Sequence, residues 1–354
     1  MGFGYKINGT MEADYMNYTN STGEYTDAII MEPHHIANII FGTLIIMLGV
    51  PGNLLVIRVY SVKRLPNSTT ILIIALSVTD LIVCILQPVI IYRNSPFGEK
   101  AADKSEFFCR FPPILTFLMV YTAAFITTAI AVDRYFAVCK PLKRIMTPKK
   151  AICVVICCFV FSLTIAVPRL ALVRRLALEE SSYKCVTNKT LDSVTIVPYY
   201  LAIFISFICI AVLYVIVVLA IRKQVKIRPG QHERNLQVGE RTRAERHNQA
   251  NSTEITRENQ KSETVKNRGQ DLQSKTTKML LLATIAIFLT LLPTAIFHAI
   301  SDKYLEYIRY TRPGAYVVLT IMRDIHLLNN ATNPLIYSLV NERFRKDCRR
   351  MLKV

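Results

Sequence analysis

The side chains of this sequence with the most chemistry to offer lie inside long apolar runs. Asn53 and Asp80 interrupt two of these runs, and Asn329, Asn330 and Asn333 interrupt a third. A carboxylate in apolar surroundings either takes up a proton or finds polar partners. Asparagine amides and a cation are the partners on offer. The set therefore predicts a hydrogen-bonded cluster that joins helices, or a switch or cation site, and these interpretations are compatible.

A charge pair closes another of the apolar runs. Asp133, Arg134 and Tyr135 follow one another at the carboxyl end of that run. We expect Arg134 to be partly desolvated among helix ends, with Asp133 beside it to neutralise its charge. A pair in this place can be rearranged when a partner arrives. On its own, a match of three residues carries little weight.

Seven apolar stretches are long enough to cross a bilayer as helices. Hydrophobic residues make up 52% of the 354-residue chain and charged residues 19%, with a mean hydropathy of +0.31. A bilayer core needs about 20 apolar residues per helix, and near-continuous runs favour helices over barrel strands. The last stretch is the weakest because it carries charged residues and asparagines, and a six-span interpretation would omit it. The stretches are Ile36–Tyr60, Thr70–Tyr92, Phe111–Val138, Ala151–Val173, Val194–Ile221, Met279–Ile300 and Ala315–Val340.

The distribution of charge predicts an orientation in the membrane. Basic cytoplasmic loops explain the net charge of +18 better than nucleic-acid binding does. Residues 1–36 carry a single lysine against five acidic residues, whereas Lys and Arg are concentrated at 63–64, 140–150 and 343–353. The basic segments would face the cytoplasm and the amino terminus the outside of the plasma membrane. That arrangement needs an odd number of spans, which supports the seventh.

Three segments fall outside or interrupt the expected bundle of residues 36–340. Residues 1–35 form an outer tail, 222–275 a long polar cytoplasmic loop that we expect to be disordered, and 341–354 a basic amphipathic helix with a short tail. Cys109 and Cys185 are an isolated pair on the outer side, where an oxidising space favours a disulfide. Glycosylation motifs on the outer side are at Asn8, Asn17, Asn20 and Asn188.

Taken together, the motifs resemble the rhodopsin-like (class A) family of G-protein-coupled receptors. Between Ile36 and Leu352 the matching residues come in order on the expected spans: Asn53, Asp80, Cys109, Asp133-Arg134-Tyr135, Cys185, Pro293, Asn333-Pro334 and Tyr337. The resemblance implies an all-α membrane protein, a seven-transmembrane helix bundle with a short amphipathic eighth helix. It implies a receptor, and no nucleophile–base set or group of metal ligands in the sequence indicates an enzyme.

The resemblance also implies a mechanism. An agonist would bind in an outward-opening cavity, and a heterotrimeric G protein would enter where helices five and six move apart. Arg134 would contact the G protein, and Tyr214 would meet Arg134 in the active state. Tyr337 would swing inward, and Pro293 would kink helix six because proline removes a helix hydrogen bond. Arrestin, a receptor kinase and membrane lipids are the further partners expected.

Several positions depart from the family pattern. The chain has no Trp, so Cys158 and Leu291 stand where the family usually has one. Ser206 replaces the usual proline of helix five. Position 273 on helix six is Gln, so Arg134 lacks the acidic partner that the family usually has there. Ala123 replaces a serine that often helps to hold sodium, the one cofactor the polar cluster suggests. These departures predict weaker, basally active or differently coupled signalling.

The expected ligand is a neuropeptide. Leu327 stands where an opsin needs a lysine, and Thr116 where an amine receptor needs an aspartate. The acidic outer tail and Gln87-Pro88 are similar to neuropeptide receptors, with the FMRFamide and thyrotropin-releasing-hormone types the most similar. Arg323 could take a peptide carboxylate or could be a structural partner of Asp324. Candidates for lining the ligand cavity are Gln87, Thr116, His298 and Arg323.

Two alternatives stay open. One is a receptor of the same fold for a lipid or other small molecule, or one with atypical signalling. The other is a channel or transporter of different fold, although the internal repeat that many transporters have is not seen. Cys348, on the basic helix, is either a palmitoylation site or a free cytoplasmic thiol.

Overall fold

The computed structural model describes most of the membrane-spanning part of the chain. Residues 31–62, 66–97, 105–140, 143, 145–178, 182–187, 201, 204–223, 279, 281–287, 289–298 and 300–352 are described, with the backbone alone at 106, 108, 109, 169–178, 182–187, 302, 343 and 352. The glycosylation motifs at Asn8, Asn17, Asn20 and Asn188, the loop at 224–278 with Gln273, and the side chains of Cys109 and Cys185 lie outside the described residues.

Helices dominate the described chain. In order, the elements are α1 (Pro33–Ser61), α2 (Ser68–Arg93), α3 (Glu106–Cys139), α4 (Pro148–Leu172), β1 (Val173–Leu178), β2 (Ser182–Thr187), α5 (Phe204–Lys223), α6 (Leu281–His298), α7 (Asp302–Thr311), α8 (Pro313–Asp324), a 3-10 turn (Ile325–Leu328), α9 (Asn329–Val340) and α10 (Glu342–Leu352). Of these, α1 to α6 are long and apolar enough to cross a membrane.

The seventh span is a broken helix. α8, the 3-10 turn and α9 follow one another without interruption, but neither helix is long enough to cross the bilayer alone. Both α8 and α9 pack against α1, and α9 also packs against α2. The run therefore lies in the bundle as one span, close to the predicted bounds. A mid-helix 3-10 segment often marks a hinge.

The outer surface of the helices is apolar, as a bilayer requires. Ile40, Leu44 and Met47 of α1 are more than half exposed, as are many large apolar residues of α4 and α5. The buried core divides into two clusters. One surrounds Tyr60, Ile130 and Tyr337 and also takes in Phe344 of α10, and the other surrounds Ile45, Val83 and Leu118.

Two ends of the bundle can now be distinguished. The hairpin end carries the start of α1, the end of α2, the antiparallel pair β1–β2, and α7. The α10 end carries the end of α1, the start of α2, the end of α3, and α10. Neither the hairpin nor α7 was anticipated in the sequence, where both fell in connecting segments. β1 packs against α3, so the hairpin lies over the bundle.

Two glycines of α1 let this helix pack closely against α2 and α9. A Cβ on Gly49 would overlap Sγ of Cys84 on α2, and a Cβ on Gly52 would lie 2.8 Å from Cβ of Pro334 on α9. Neither site has room for a side chain. These two glycines allow α1 to pack closely on both partners at the level of Asn53, as small residues do in membrane helix pairs.

Candidate functional site

Four polar residues from three helices meet in the centre of the bundle. This central polar cluster consists of Asn53, Asp80, Asn330 and Asn333, none more than 4% exposed. The Asn333 amide donates to Oδ2 of Asp80 at 2.8 Å, and the Asn53 amide donates to the backbone oxygen of Asn330 at 2.7 Å. The Asn330 amide turns back to the carbonyl of Leu327 in the 3-10 turn. The asparagines of α9 thus connect to α1, to α2 and to the break in the seventh span.

Oxygen atoms of Asn53, in the cluster, and of Asn329, the residue before Asn330, could bind a cation. Oδ1 of Asn53 and Oδ1 of Asn329 are buried without a hydrogen-bond partner in the described part of the chain. Carboxylate and amide oxygens are the ligands that hard cations prefer. Ala123 adds no hydroxyl on α3, and the described residues contain no group of three His, Cys, Asp or Glu side chains able to hold a metal. The donor set fits sodium in part, and sodium binding stays a prediction.

A second cluster lies at the α10 end. Asp133 accepts hydrogen bonds from the hydroxyl of Ser68 to Oδ1 and from the hydroxyl of Thr69 to Oδ2, both at 2.7 Å. Nη2 of Arg134 donates to Asp133 and to Thr69. All four residues are less than 10% exposed. This α10-end cluster holds the charge pair of α3 against the first turn of α2.

The start of α2 places both hydroxyls. Asn67 caps the helix, and its Oδ1 accepts from the backbone N–H of Thr70 at 2.8 Å. Ser68 and Thr69 therefore sit in the first turn, facing Asp133. Sequence reasoning found Asp133 and Arg134 but missed these partners. The signal available was the cap motif Asn67-Ser68-Thr69-Thr70, which fixes the first turn but not its neighbour.

The predicted switch tyrosines lie above this cluster. Tyr214 of α5 is 2% exposed, lies beside Thr284 of α6 and is within electrostatic range of Arg134. Tyr337 of α9 is fully buried and packs edge-on against Phe344 of α10, with ring centroids 6.3 Å apart. Its hydroxyl has no hydrogen-bond partner among the described residues. The structure therefore brings Asp133, Arg134, Tyr214 and Tyr337 into one half of the bundle.

A link between α6 and the seventh span follows directly after Pro293. The hydroxyl of Thr294 donates to the carbonyl of Met322 at 3.1 Å and lies 3.3 Å from Nδ1 of His326. That histidine nitrogen is also 3.0 Å from the carbonyl of Arg323. Displacement of α8 would therefore act on α6 at its proline.

The predicted cavity residues fall in different environments at and below the hairpin end. Gln87 is buried, Thr116 donates to the carbonyl of Pro112 one turn earlier, and His298 is exposed at the end of α6 with its ring edge-on to Phe297. Arg323 forms a bidentate pair with Asp324, through Nε at 2.9 Å and Nη2 at 2.7 Å. This is the structural pairing that the sequence left open as an alternative.

Sequence reasoning missed a contact at the mouth of the bundle. Glu32, just before α1, accepts from Nε of Arg309 on α7 at 3.1 Å and from Nη2 of the same guanidinium. Arg309 also lies over the ring of Tyr316 on α8, 5.9 Å from its centroid. The Arg309 hydrogen bond lowers the pKa of Glu32, and Glu32 raises the pKa of Arg309 in turn. This clasp fixes where the amino-terminal tail leaves the bundle.

Cys348 does not present its thiol to the surroundings of α10. It is 9% exposed and belongs to the core cluster that contains Tyr60 and Phe344. Burial, with the charge of Asp347, raises the pKa of its thiol and so disfavours the reactive thiolate. Burial favours the free-thiol interpretation in this conformation, and palmitoylation of Cys348 stays a prediction.

A comparison with protein families decides the class. The profile described as "7 transmembrane receptor (rhodopsin family)" matches residues 52–337, which contain both polar clusters. The chain belongs to the rhodopsin family of seven-transmembrane receptors. It is therefore a multi-pass plasma-membrane receptor and not an enzyme, and the family implies an extracellular ligand and a G-protein partner.

Curated relatives of this receptor differ in their ligands. The C5a anaphylatoxin chemotactic receptor 1 of Oncorhynchus mykiss is 23% identical over 336 residues, covering 92% of this chain and 83% of its own. The melatonin receptor type 1A of Phodopus sungorus is 29% identical over 189 residues, covering 51% and 52%. The tachykinin-like peptides receptor 99D of Drosophila melanogaster is 28% identical over 159 residues, covering 43% and 28%.

Proposed function

We propose that this receptor is activated by an extracellular peptide, most readily a neuropeptide, and signals through a heterotrimeric G protein. Its amino terminus and hairpin end face outward, and the α10 end faces the cytoplasm, in agreement with the bias of Lys and Arg toward the segments that flank the α10 end. The observation that carries the proposal is the α10-end cluster. In this cluster, Thr69 of α2 and Asp133 of α3 hold the buried charge of Arg134. A cytoplasmic partner could release that charge.

In the resting receptor, Asp133 accepts from Ser68 and Thr69 of α2, and Nη2 of Arg134 donates to Asp133 and Thr69. Activation separates Arg134 from these partners and brings it to Tyr214, which already lies within electrostatic range. The buried hydroxyl of Tyr337 has no hydrogen-bond partner among the described residues, so moving it toward the same region gains a hydrogen bond. A ligand that prefers the rearranged state shifts the population toward it.

The ligand's effect passes through the seventh span. Its outer half, α8, contacts α1 and is tied to α6 through Thr294 directly after Pro293. Its inner half, α9, carries the asparagines of the central polar cluster. A ligand that displaces α8 therefore acts on the helix-six proline and on the 3-10 break together. Arrestin and a receptor kinase would act on the same cytoplasmic end.

Two observations support a peptide. Two relatives have peptides in their names, the C5a and the tachykinin-like receptors. The hairpin end also carries β1–β2 and α7 in addition to the ends of the spans, and these elements add surface that an extended ligand could contact. A small molecule is the second candidate, since the melatonin receptor is a relative as well. A lipid ligand or atypical signalling belongs with this second candidate.

The test is a ligand screen on the full-length receptor in cells, read out by second messengers. A collection of neuropeptides from the source organism and a small-molecule collection are applied in parallel. We expect a peptide response that Arg134→Ala abolishes at unchanged surface level. Arg58→Ala is the matched control, because Arg58 is exposed at the same end and outside the cluster, and should respond normally.

The outcomes separate the two candidates. Activation by a small molecule alone would replace the peptide proposal with the second candidate. A peptide response that survives Arg134→Ala would remove Arg134 from G-protein coupling.

A further inference from the structure

Arg93, the last residue of α2, points to a function that the resemblance did not suggest. Long basic side chains at helix ends usually reach out to the membrane surface. Arg93 does not follow this pattern. Its Nε is buried, and the charged groups that act on its guanidinium in the described part of the chain are Arg323 and Asp324 of α8. Arg93 therefore faces the bundle at the hairpin end.

The charges in this group do not balance. Arg93 and Arg323 bring two guanidinium groups, and Asp324 is the one carboxylate that acts on either of them among the described residues. Asp324 is already engaged by Arg323 through two hydrogen bonds of 2.9 and 2.7 Å. The nearby Arg309 is neutralised separately by Glu32. Among the described residues, one positive charge is therefore left over, and it resides on Arg93.

The hydrogen bonds of Arg93 are also incomplete. Its buried Nε has no partner among the residues that the structure describes. A buried donor without an acceptor is costly, more so when it carries charge. A group that supplies a negative charge and two acceptor oxygens removes both deficits at once, and a carboxylate fits the guanidinium fork in that way.

We propose that Arg93 is an anion-binding residue at the hairpin end and recognises a carboxylate of the extracellular ligand, with Arg323 held beside it by Asp324. The proposal rests on the proposed function, since it names the chemical group that the receptor's outer site takes. A peptide carboxyl terminus and a small dicarboxylic acid share this chemistry. Arg323, which the sequence suggested for this role, instead has its own carboxylate.

The test measures thermal unfolding of the full-length receptor in lipid nanodiscs. The probes are glutarate and an N-acetyl-dialanine with a free carboxyl terminus, each compared with its amide at equal ionic strength. Both acids contain a carboxylate, and each amide has nearly the same shape as its acid but no charge on that group. We expect at least one acid to raise the unfolding temperature and both amides to leave it unchanged.

Variants then assign the effect to a residue. Arg93→Gln should weaken acid binding by about tenfold or more, because hydrogen bonds to charged groups are lost. Arg93→Lys should bind the acid with intermediate strength, because it keeps the charge but not the fork. Arg309→Gln is the matched control and should keep the wild-type response, since Arg309 has its own partner in Glu32.

Each outcome bears on the proposal. Stabilisation by the dipeptide acid alone assigns a peptide carboxyl terminus, and stabilisation by glutarate alone assigns a small dicarboxylate. No stabilisation by either acid, equal effects of acids and amides, or an unchanged response of Arg93→Gln would overturn it. Signalling does not enter this measurement. A failed peptide screen with intact acid binding would therefore count against the proposed function and not against the site.

Discussion

Arg134 is restrained by residues of α2 at the α10 end. Thr69 is central because its hydroxyl both donates to Asp133 and accepts from Arg134. The sequence offered no acidic partner on helix six, since position 273 is Gln. The hydroxyls of α2 thus supply contacts that favour the resting position of Arg134.

Replacing Thr69 with Val should raise ligand-independent signalling. Val keeps the shape of Thr but removes the hydroxyl, so Asp133 and Arg134 each lose a partner. Loss of a hydrogen bond worth about 0.5–1.5 kcal/mol shifts a two-state equilibrium by about two- to tenfold. The measurement is basal G-protein activation in cells, divided by the amount of receptor at the surface.

Thr69→Ser provides the control for this prediction. Serine keeps the hydroxyl, so basal signalling should stay close to that of the wild type. A Thr69→Val receptor with wild-type basal signalling would show that α2 does not restrain the charge pair.

There is a physical reason why some polar residues of the two clusters could be predicted from the sequence and others could not. Asn53, Asp80 and Asn333 stand out because polar groups are expensive in an apolar run and must find one another. Ser68 and Thr69 do not stand out, because hydroxyls are common in the first turn of any helix. Arg93 was missed for a similar reason, since an Arg at the end of a span is ordinary in sequence. Only its buried Nε and the charges of Arg323 and Asp324 that act on it distinguish it.

At the scale of elements, α1 is the helix against which both α2 and α9 pack. Gly49 leaves room for α2 to approach α1, and Gly52 leaves room for α9. The side-chain amide of Asn53, which follows Gly52, donates to the backbone oxygens of Gly49 and Asn330. A side chain in place of either glycine would push the helices apart where the central polar cluster forms. Packing and polar contacts therefore depend on the same few residues.

Gly49→Ala should destabilise the receptor by about 1–3 kcal/mol, the usual cost of overpacking. The added methyl group would overlap Sγ of Cys84. Truncating that sulfur in the double variant Gly49→Ala, Cys84→Ala should restore part of the loss, so that the two changes are not additive. Thermal unfolding of the purified receptor measures each variant.

Gly314→Ala is the matched control for this prediction. A Cβ on Gly314 would meet nothing within 4 Å, so the same substitution should leave the unfolding temperature nearly unchanged. Additive effects of Gly49→Ala and Cys84→Ala would mean that the clash is relieved elsewhere in the helix pair.

The clasp between the start of α1 and α7 predicts a dependence on pH. The hydrogen bond from Arg309 lowers the pKa of Glu32 from its usual 4.5, so the folded state favours the ionised carboxylate. The contribution to stability is therefore complete above pH 4.5 and is lost as the pH falls through the lower, folded pKa. Because both side chains are about one-third exposed, the contribution is small, about 0.2–1 kcal/mol.

Comparing Glu32→Gln with the wild type measures this contribution. The unfolding temperatures should differ by a constant amount from pH 8 to pH 6, and the difference should close below pH 4.5. Glu306→Gln removes an exposed carboxylate of α7 and should match the wild type throughout. A gap that persists at the lowest pH would mean that Glu32 acts through packing and not through its charge.

The elements were predictable to different degrees. Apart from the start of the fifth span, the apolar runs located the described spans to within about five residues, because lipid demands length and hydrophobicity of every crossing helix. The 3-10 break at Ile325–Leu328 and helix α7 were not anticipated. Short helices outside the bilayer depend on local contacts, such as those of Arg309 with Glu32 and Tyr316. Such contacts have no periodic signal in the sequence.

For the molecule as a whole, the hairpin end and the α10 end must be coupled through a bundle that stays intact. β1–β2 lies over α3, and the register of the hairpin places Cys185 opposite Arg175 in β1, the strand that packs on α3. Cys109 lies in the first turn of α3. The disulfide between these two cysteines stays a prediction, and it would fasten the hairpin to the helix carrying Asp133 and Arg134.

Losing this disulfide should impair the receptor equally from either side. Cys109→Ser and Cys185→Ser should each lower surface expression, because removal of a native disulfide typically costs about 2–5 kcal/mol. The double variant should be no worse than either single variant, since one bond is lost in all three. Cys153→Ser, which changes an exposed free cysteine of α4, is the control and should be expressed normally. Additive losses, or thiol labelling of both cysteines in the wild type, would mean that the two residues are not joined and that the hairpin is held to α3 by packing alone.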